Sequence, residues 1–121
     1  PLDGYINLAE QLYDDRMHEL KGAFNFGPST ESIKTVKQLV DEGLKYWNGE
    51  WENHTPAIAP HEAKILNLTT EKARSLLKWS PQWAFDQTVA LTMTWYKQVM
   101  KNESSAKDCC LQQIHKFYSI E

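Results

Sequence analysis

The sequence predicts an α+β domain, mainly α, with about four or five helices and two or three short strands. Two observations point there. Apolar residues recur at three- and four-residue steps over most of the chain, the period of one helix face. The intervals between those stretches hold short alternating runs bounded by Gly and Pro, the pattern of brief strands and turns. The 121 residues suit a single domain over 1–121 with one modest core, since domains commonly hold roughly 100–150 residues.

From Tyr5 to Leu20, the residues Tyr5, Leu8, Ala9, Leu12 and Tyr13 share one face, which predicts a helix ended by Lys21-Gly22. Ala23-Phe24-Asn25-Phe26 is a short aromatic run closed by Gly27-Pro28, a strand and then a sharp turn. Ser29 or Thr30 is placed to cap a second helix, whose stripe is Ile33, Val36, Val40, Leu44 and Trp47 and whose end lies near Asn48-Gly49. Residues 49–63 carry Gly49, Pro56 and Pro60, which predicts a loop with one edge strand near Trp51. Lys64-Ile65-Leu66-Asn67-Leu68 alternates as a short strand. Thr69 or Thr70 then caps a helix from Glu71 to Leu77, which Pro81 forbids from continuing. Phe85, Val89, Met93, Tyr96 and Met100, widened by Leu91 and Trp95, predict a long helix with a buried face over 84–101. Ser105 with Asp108 resembles a capping box for a last helix, Ala106 to Tyr118, with Leu111, Ile114 and Tyr118 inward.

Composition narrows the function classes. A formal charge of -3 supplies no basic field to gather phosphate backbones, so no nucleic-acid partner is expected. A mean hydropathy of -0.59 without a long apolar run gives no membrane span. Cys109 and Cys110 are neighbours that cannot staple distant segments and lack zinc-site spacing, which fits free thiols in a reducing, cytoplasmic setting. Nothing near Pro1 resembles a signal segment, so the chain reads as processed or as an internal fragment. The sequons at Asn53, Asn67 and Asn102 are read as chance, because they matter only in a secreted protein.

No catalytic apparatus is visible. The five glycines are not spaced to cradle a pyrophosphate, and no Gly-x-Ser-x-Gly, His-Glu-x-x-His or P-loop motif occurs. A tyrosine hydroxyl with a lysine one helical turn on would ease proton transfer in hydride chemistry, but Tyr96 has Met100 at that position. What remains is Ala59-Pro60-His61-Glu62-Ala63-Lys64, whose imidazole, carboxylate and ammonium suit a clamp on phosphate oxygens and sugar hydroxyls. On spacing alone a solvated loop is the plainer reading. His18, His54 and His115 read as surface residues. Trp79 and Trp83 bracket Ser80-Pro81-Gln82 either as a stacking platform for a base or, more simply, as a lock on the turn between two helices. Asn25 is placed either to touch a ligand or to make a turn-side hydrogen bond. The cysteine pair reads as structural and partly buried.

The order of motifs is nevertheless distinctive: Pro1-Leu2-Asp3-Gly4-Tyr5, Phe24-Asn25-Phe26-Gly27-Pro28, Pro60-His61-Glu62-Ala63, Leu66-Asn67-Leu68, Lys72-Ala73, Leu77-Lys78-Trp79-Ser80-Pro81 and Thr94-Trp95-Tyr96. Over about residues 1–101 this series resembles the CDP-glucose 4,6-dehydratase family of extended short-chain dehydrogenases/reductases. The Leu-x-Trp-x-Pro and Thr-x-Trp-Tyr pieces mark the wider nucleotide-sugar superfamily. The Asn-Phe-Gly-Pro and Pro-His-Glu-Ala pieces point to the CDP-glucose branch.

The resemblance implies a two-part enzyme. An N-terminal Rossmann half holds NAD and the Tyr/Lys pair, oxidises the sugar at C4, eliminates water across C5 and C6, and returns the hydride to C6. The product is CDP-4-dehydro-6-deoxy-glucose, a precursor of deoxysugars in bacterial surface lipopolysaccharide. The smaller C-terminal part closes over the CDP-sugar, and this chain resembles that part alone, with no cofactor of its own and the Rossmann half as its missing partner. On this resemblance His61 lies near the nucleotide or diphosphate, Glu62 shapes the pocket, and Asn25 belongs to the strand and turn beneath the site. The arginine-containing segment that helps bind the nucleotide would precede Pro1, so weak ligand binding is expected. Two alternatives stand beside this reading: a segment of a related nucleotide-sugar epimerase, reductase or dehydratase, and a freestanding helical interaction module. A fragment would expose apolar surface and self-associate.

Overall fold

The computed structural model describes residues 1–14, 20–54 and 68–119. In chain order the elements are α1 (Leu2–Tyr13), a single 3₁₀ turn (Thr30–Ser32), α2 (Val36–Gly43), α3 (Glu71–Leu77), α4 (Phe85–Met100) and α5 (Ala106–Tyr118). No strand occurs among the described residues, which corrects the α+β expectation to an all-helical one. The reason is pairing. The Phe24-Asn25-Phe26 run has strand-like composition, but among the described residues it has no neighbouring strand to exchange backbone hydrogen bonds with, and a lone strand is not a stable element. Side chains hold it instead. Near Trp51 the chain is also irregular, and the indole Nε1 donates to Asp41 at 3.2 Å. Of the expected strand at 64–68, only Leu68 lies within the described residues, and it is not in a strand.

The chain forms two compact units, one within Pro1–Ile33 and Pro60–Pro81, the other within Lys34–Ala59 and Gln82–Glu121. The first is built on α1 and α3, which pack against each other. Its core is Leu20, Phe26, Ala73, Leu77 and Trp79, with Leu8, Phe24 and Leu76 around it. Phe26 takes edge-to-face contacts on two sides, with Tyr5 at 5.2 Å and Trp79 at 5.0 Å between ring centroids. Such pairs stabilise by about 0.5–1.5 kcal/mol beyond their burial. The α1 backbone can approach this ring only because residue 4 is glycine: a Cβ there would overlap Phe26. α3 ends where Lys78 turns left-handed (φ 54°), and the amides of Lys78 and Trp79 both donate to the Ala73 carbonyl. That reversal returns Trp79 to the core, where its Nε1 donates to Asp3 Oδ2 at 2.9 Å.

In the second unit α4 is central, with α2 and α5 both packed on it. The second helix begins at Val36 and not at the expected Ser29 or Thr30. Thr30–Ser32 makes one 3₁₀ turn, Ile33 is extended, and Thr35 is the true cap. Its hydroxyl accepts from the Gln38 amide at 3.2 Å while Gln38 Oε1 accepts from the Thr35 amide at 2.9 Å, a reciprocal capping box. α5 matches its expected bounds, with Ser105 Oγ accepting from the Asp108 amide. Its inward face differs from expectation. Leu111, Ile114 and Tyr118 are 43%, 48% and 43% exposed, whereas Cys109 is buried beside Gln98, Gln113 Nε2 donates to the Leu91 carbonyl at 3.0 Å, and Phe117 meets Trp83 edge-on at 4.9 Å. At 100° per residue, positions 109, 113 and 117 share a face turned about 130° from that of 111, 114 and 118. The α4 stripe is likewise buried only in part: Val89 is 7% exposed, Tyr96 51% and Met100 67%.

The Gly4 contact yields a prediction in which two effects oppose each other. Alanine is favoured over glycine inside a helix by about 1 kcal/mol, but forcing a methyl into a filled core costs typically 1–3 kcal/mol. Because the ring it meets is itself gripped by Tyr5 and Trp79, the steric term wins. Gly4→Ala is expected to destabilise the protein by about 1–2 kcal/mol in urea denaturation.

Candidate functional site

Of the three expected substrate contacts, His61 and Glu62 lie outside the described residues, and Asn25 lies within them. Asn25 owes its position to its neighbours. Phe26 is buried and Phe24 stacks parallel to it at 6.3 Å, so both rings turn to the α1/α3 core and Asn25 is left exposed between them. The carboxamide Nδ2 donates to the Thr69 carbonyl at 3.3 Å, a contact across 44 residues of sequence and thus neither of the local roles a turn residue plays. Gly27 is buried close to Leu68 and Thr70, with room for a Cβ only at ordinary contact distance, 3.7 and 3.8 Å. Segment 23–27 therefore lies along segment 68–72.

Lys72 completes this edge and was not singled out from the sequence as a contact residue. It projects from the first turn of α3, donates through Nζ to the Ala23 carbonyl at 3.2 Å, and places its ammonium 4.1 Å from the centre of the Phe24 ring. Both contacts fix a long, exposed side chain through attraction of the ammonium to a carbonyl dipole and a ring face. The next residue, Ala73, is fully buried, which is why Lys72 must point outward. An ammonium has three donors, and one is spent on Ala23. The edge thus presents a fixed cation and an amide oxygen, a combination able to meet a phosphate oxygen and a hydroxyl.

Other candidates resolve differently. Trp79 is only 5% exposed and engaged with Asp3 and Phe26, and Trp83 belongs to the other unit, against Phe117, so neither ring is a free stacking platform. His54 is exposed and lies 3.2 Å from Glu52, and His115 sits exposed in the last turn of α5. Cys109 is buried, Cys110 is exposed, and both are free thiols. The Lys45 ammonium is held above its ordinary range, first by its hydrogen bond to Glu42 at 2.6 Å and opposed by partial desolvation. A pKa raised in the folded state makes this attraction complete at neutral pH and lost as pH rises through the folded value. Among the described residues no three His, Cys, Asp or Glu side chains gather to hold a metal ion. Gly4 is packed against Phe26, and Gly27 lies at ordinary contact distance from Leu68 and Thr70.

No family model matches the chain, and no solved structure matches it. In sequence the chain is a partial homologue of a dehydratase. The relative is CDP-glucose 4,6-dehydratase of Salmonella typhimurium, 37% identical over 109 residues, which cover 85% of this chain and 29% of that protein. The chain therefore spans less than a third of the length of the curated relative it matches. No described helix is long and apolar enough to cross a membrane.

The hydrogen bond of Asn25 is exposed, so it stabilises weakly. Asn25→Ala is expected to lower stability by no more than about 1 kcal/mol by urea denaturation, while the Thr69 and Lys72 amide resonances shift in a heteronuclear NMR spectrum and those of α5 do not.

Proposed function

We propose that this chain is the C-terminal substrate-binding segment of a cytoplasmic, NAD-dependent CDP-glucose 4,6-dehydratase, a lyase of deoxysugar and lipopolysaccharide biosynthesis, and that it is inactive alone. The observation that carries this reading is the 37% identity to such a dehydratase running through 109 residues, most of this chain. The motifs at residues 24–28 and 60–63 lend it detail. In this reading the Rossmann half supplies NAD and the proton-transferring pair, and the present chain supplies contacts to the CDP-sugar. His61 donates to a diphosphate oxygen, Glu62 shapes the pocket wall, and Asn25 with Lys72 forms an edge offering an amide and a cation.

The surface of α1 supports the need for a larger partner. Leu2, Ile6 and Tyr13 lie along one helix face and are 74%, 52% and 91% exposed, with Tyr5 beside them at 55%. Positions at steps of four and seven make a continuous stripe, directed away from the face that carries buried Gly4. A stripe of this kind normally marks a contact surface, and in the isolated chain it favours self-association.

The test uses isothermal titration with CDP-glucose and a dehydratase assay. This chain is expected to show no turnover and only millimolar binding, whereas the protein extended by the codons preceding Pro1 in its gene binds at least a hundredfold more tightly and turns over. In that longer protein His61→Ala raises KM about tenfold, the loss of about 1.4 kcal/mol that one charge-assisted hydrogen bond supplies. Micromolar binding by the isolated chain, or an upstream frame lacking a glycine-rich βαβ turn and a Tyr-x-x-x-Lys pair, would overturn the reading.

A further inference from the structure

In the second unit a groove runs between α2 and α4, and nothing in the proposed sugar-nucleotide function uses it. It has two lobes meeting at Trp47. The first, about 480 Å³, is walled by Leu39, Val40 and Leu44 on one side and by Val89, Thr92 and Met93 on the other. Gly43 lines it as well, and a Cβ at that position would sit in ordinary contact with Met93, 3.8 Å from Sδ. The threonines on the α4 wall add no free donor. Thr88 Oγ1 donates to the Ala84 carbonyl and Thr92 Oγ1 to the Thr88 carbonyl, each at 2.8 Å, so both hydroxyl protons are spent on the helix itself.

The second lobe, about 470 Å³, is the more polar of the two. Lys97 and Lys101, one helical turn apart on α4, line it together with Tyr46, Asn48 and Met100. Among the described residues the carboxylate paired with Lys101 is Glu103 at 3.9 Å, beyond a good hydrogen bond. Lys97 has no ion-pair partner among the described residues. From Val89 to Lys101 the groove follows α4 for about 18 Å at 1.5 Å per residue.

We propose that this groove binds an anionic amphiphile of small size, a medium-chain carboxylate whose acyl chain lies along Gly43, Val89 and Met93 and whose carboxylate meets Lys97 and Lys101. An aliphatic chain matches a wall with no unspent hydroxyl proton, because such a wall rewards chiefly apolar burial. An anion matches a pair of lysines on one helix face, whose charges repel one another until a counter-charge sits between them. Trp47 at the junction bridges the two environments, offering ring faces to the chain and standing next to the polar lobe.

The experiment titrates the full chain with decanoate, below its micelle-forming concentration, and with decanol as the uncharged isostere, by isothermal calorimetry. Decanoate is expected to bind one-to-one and at least tenfold more tightly than decanol, and each methylene removed should weaken binding about three- to fourfold. The double variant Lys97→Gln, Lys101→Gln should bring decanoate down to the affinity of decanol and leave decanol unchanged. Gly43→Leu fills the apolar lobe and should abolish binding of both. Thr92→Phe fills it from the opposite wall, so the blocking test survives if either variant fails to fold by circular dichroism. Equal affinity for decanoate and decanol, no dependence on chain length, or undiminished binding in whichever blocking variant folds would overturn the proposal. So would saturable binding of an acidic amphipathic peptide together with no binding of decanoate.

Discussion

The first unit depends on the ring of Phe26. Tyr5 from α1 and Trp79 from the end of α3 close on it edge-on from two sides, and glycine at position 4 lets a helix backbone come up against it. Three stretches distant in sequence are thereby held together. The consequence for chemistry is direct. With Phe26 buried and Phe24 stacked on it, Asn25 is left at the surface and is tied to Thr69, and Lys72 is drawn over Phe24. The display of polar groups at this edge follows from how the aromatic residues pack.

The second unit solves a different problem, a helix with apolar residues on more than one side. α4 buries Val89 toward α2 and receives α5 on its other side through Leu91 and Gln98. This two-sided use explains why its apolar stripe is so broad, with Leu91 and Trp95 lying outside the Phe85, Val89 and Met93 row. α2 is only eight residues long, too short to cover all of α4, and so Tyr96 and Met100 remain exposed beyond it. The groove beside Trp47 is the result of that mismatch in length, with a glycine on its facing wall.

Much of the helical framework was legible in the sequence because its signals are local. The bounds of α3 and α5 and nearly those of α4 follow from period, from the cap at Ser105, and from Pro81, although Thr70 precedes α3 without a side-chain capping bond. The first helix starts earlier and ends sooner than expected, at Leu2–Tyr13, and the second ends at Gly43, short of Asn48-Gly49. Three further departures have clear physical reasons. The strand expected at residues 23–26 needed a partner strand, which no local pattern can supply. The start of α2 was misplaced because Ser29, Thr30 and Thr35 are all plausible caps, and only Thr35 has Gln38 three residues on to complete the reciprocal pair. The inward face of α5 was mistaken because Leu111, Ile114 and Tyr118 form the more apolar stripe, while packing on α4 selects Cys109, Gln113 and Phe117. At the candidate site, the exposure of Asn25 was legible through its alternation with Phe24 and Phe26. Lys72 was not, since its contact with Ala23 joins residues 49 apart.

The Phe26 ring couples α1 to α3 and so sets the edge that carries Asn25 and Lys72. Native-state hydrogen exchange on Phe26→Leu tests it most directly. Leucine keeps the site apolar but removes both edge-to-face contacts, and the amides of α1 and α3 should lose protection together, by a common amount of about 2–3 kcal/mol, as expected for loss of two aromatic contacts and a partial cavity. Loss of protection in α1 with α3 unchanged, or in neither, would contradict the account.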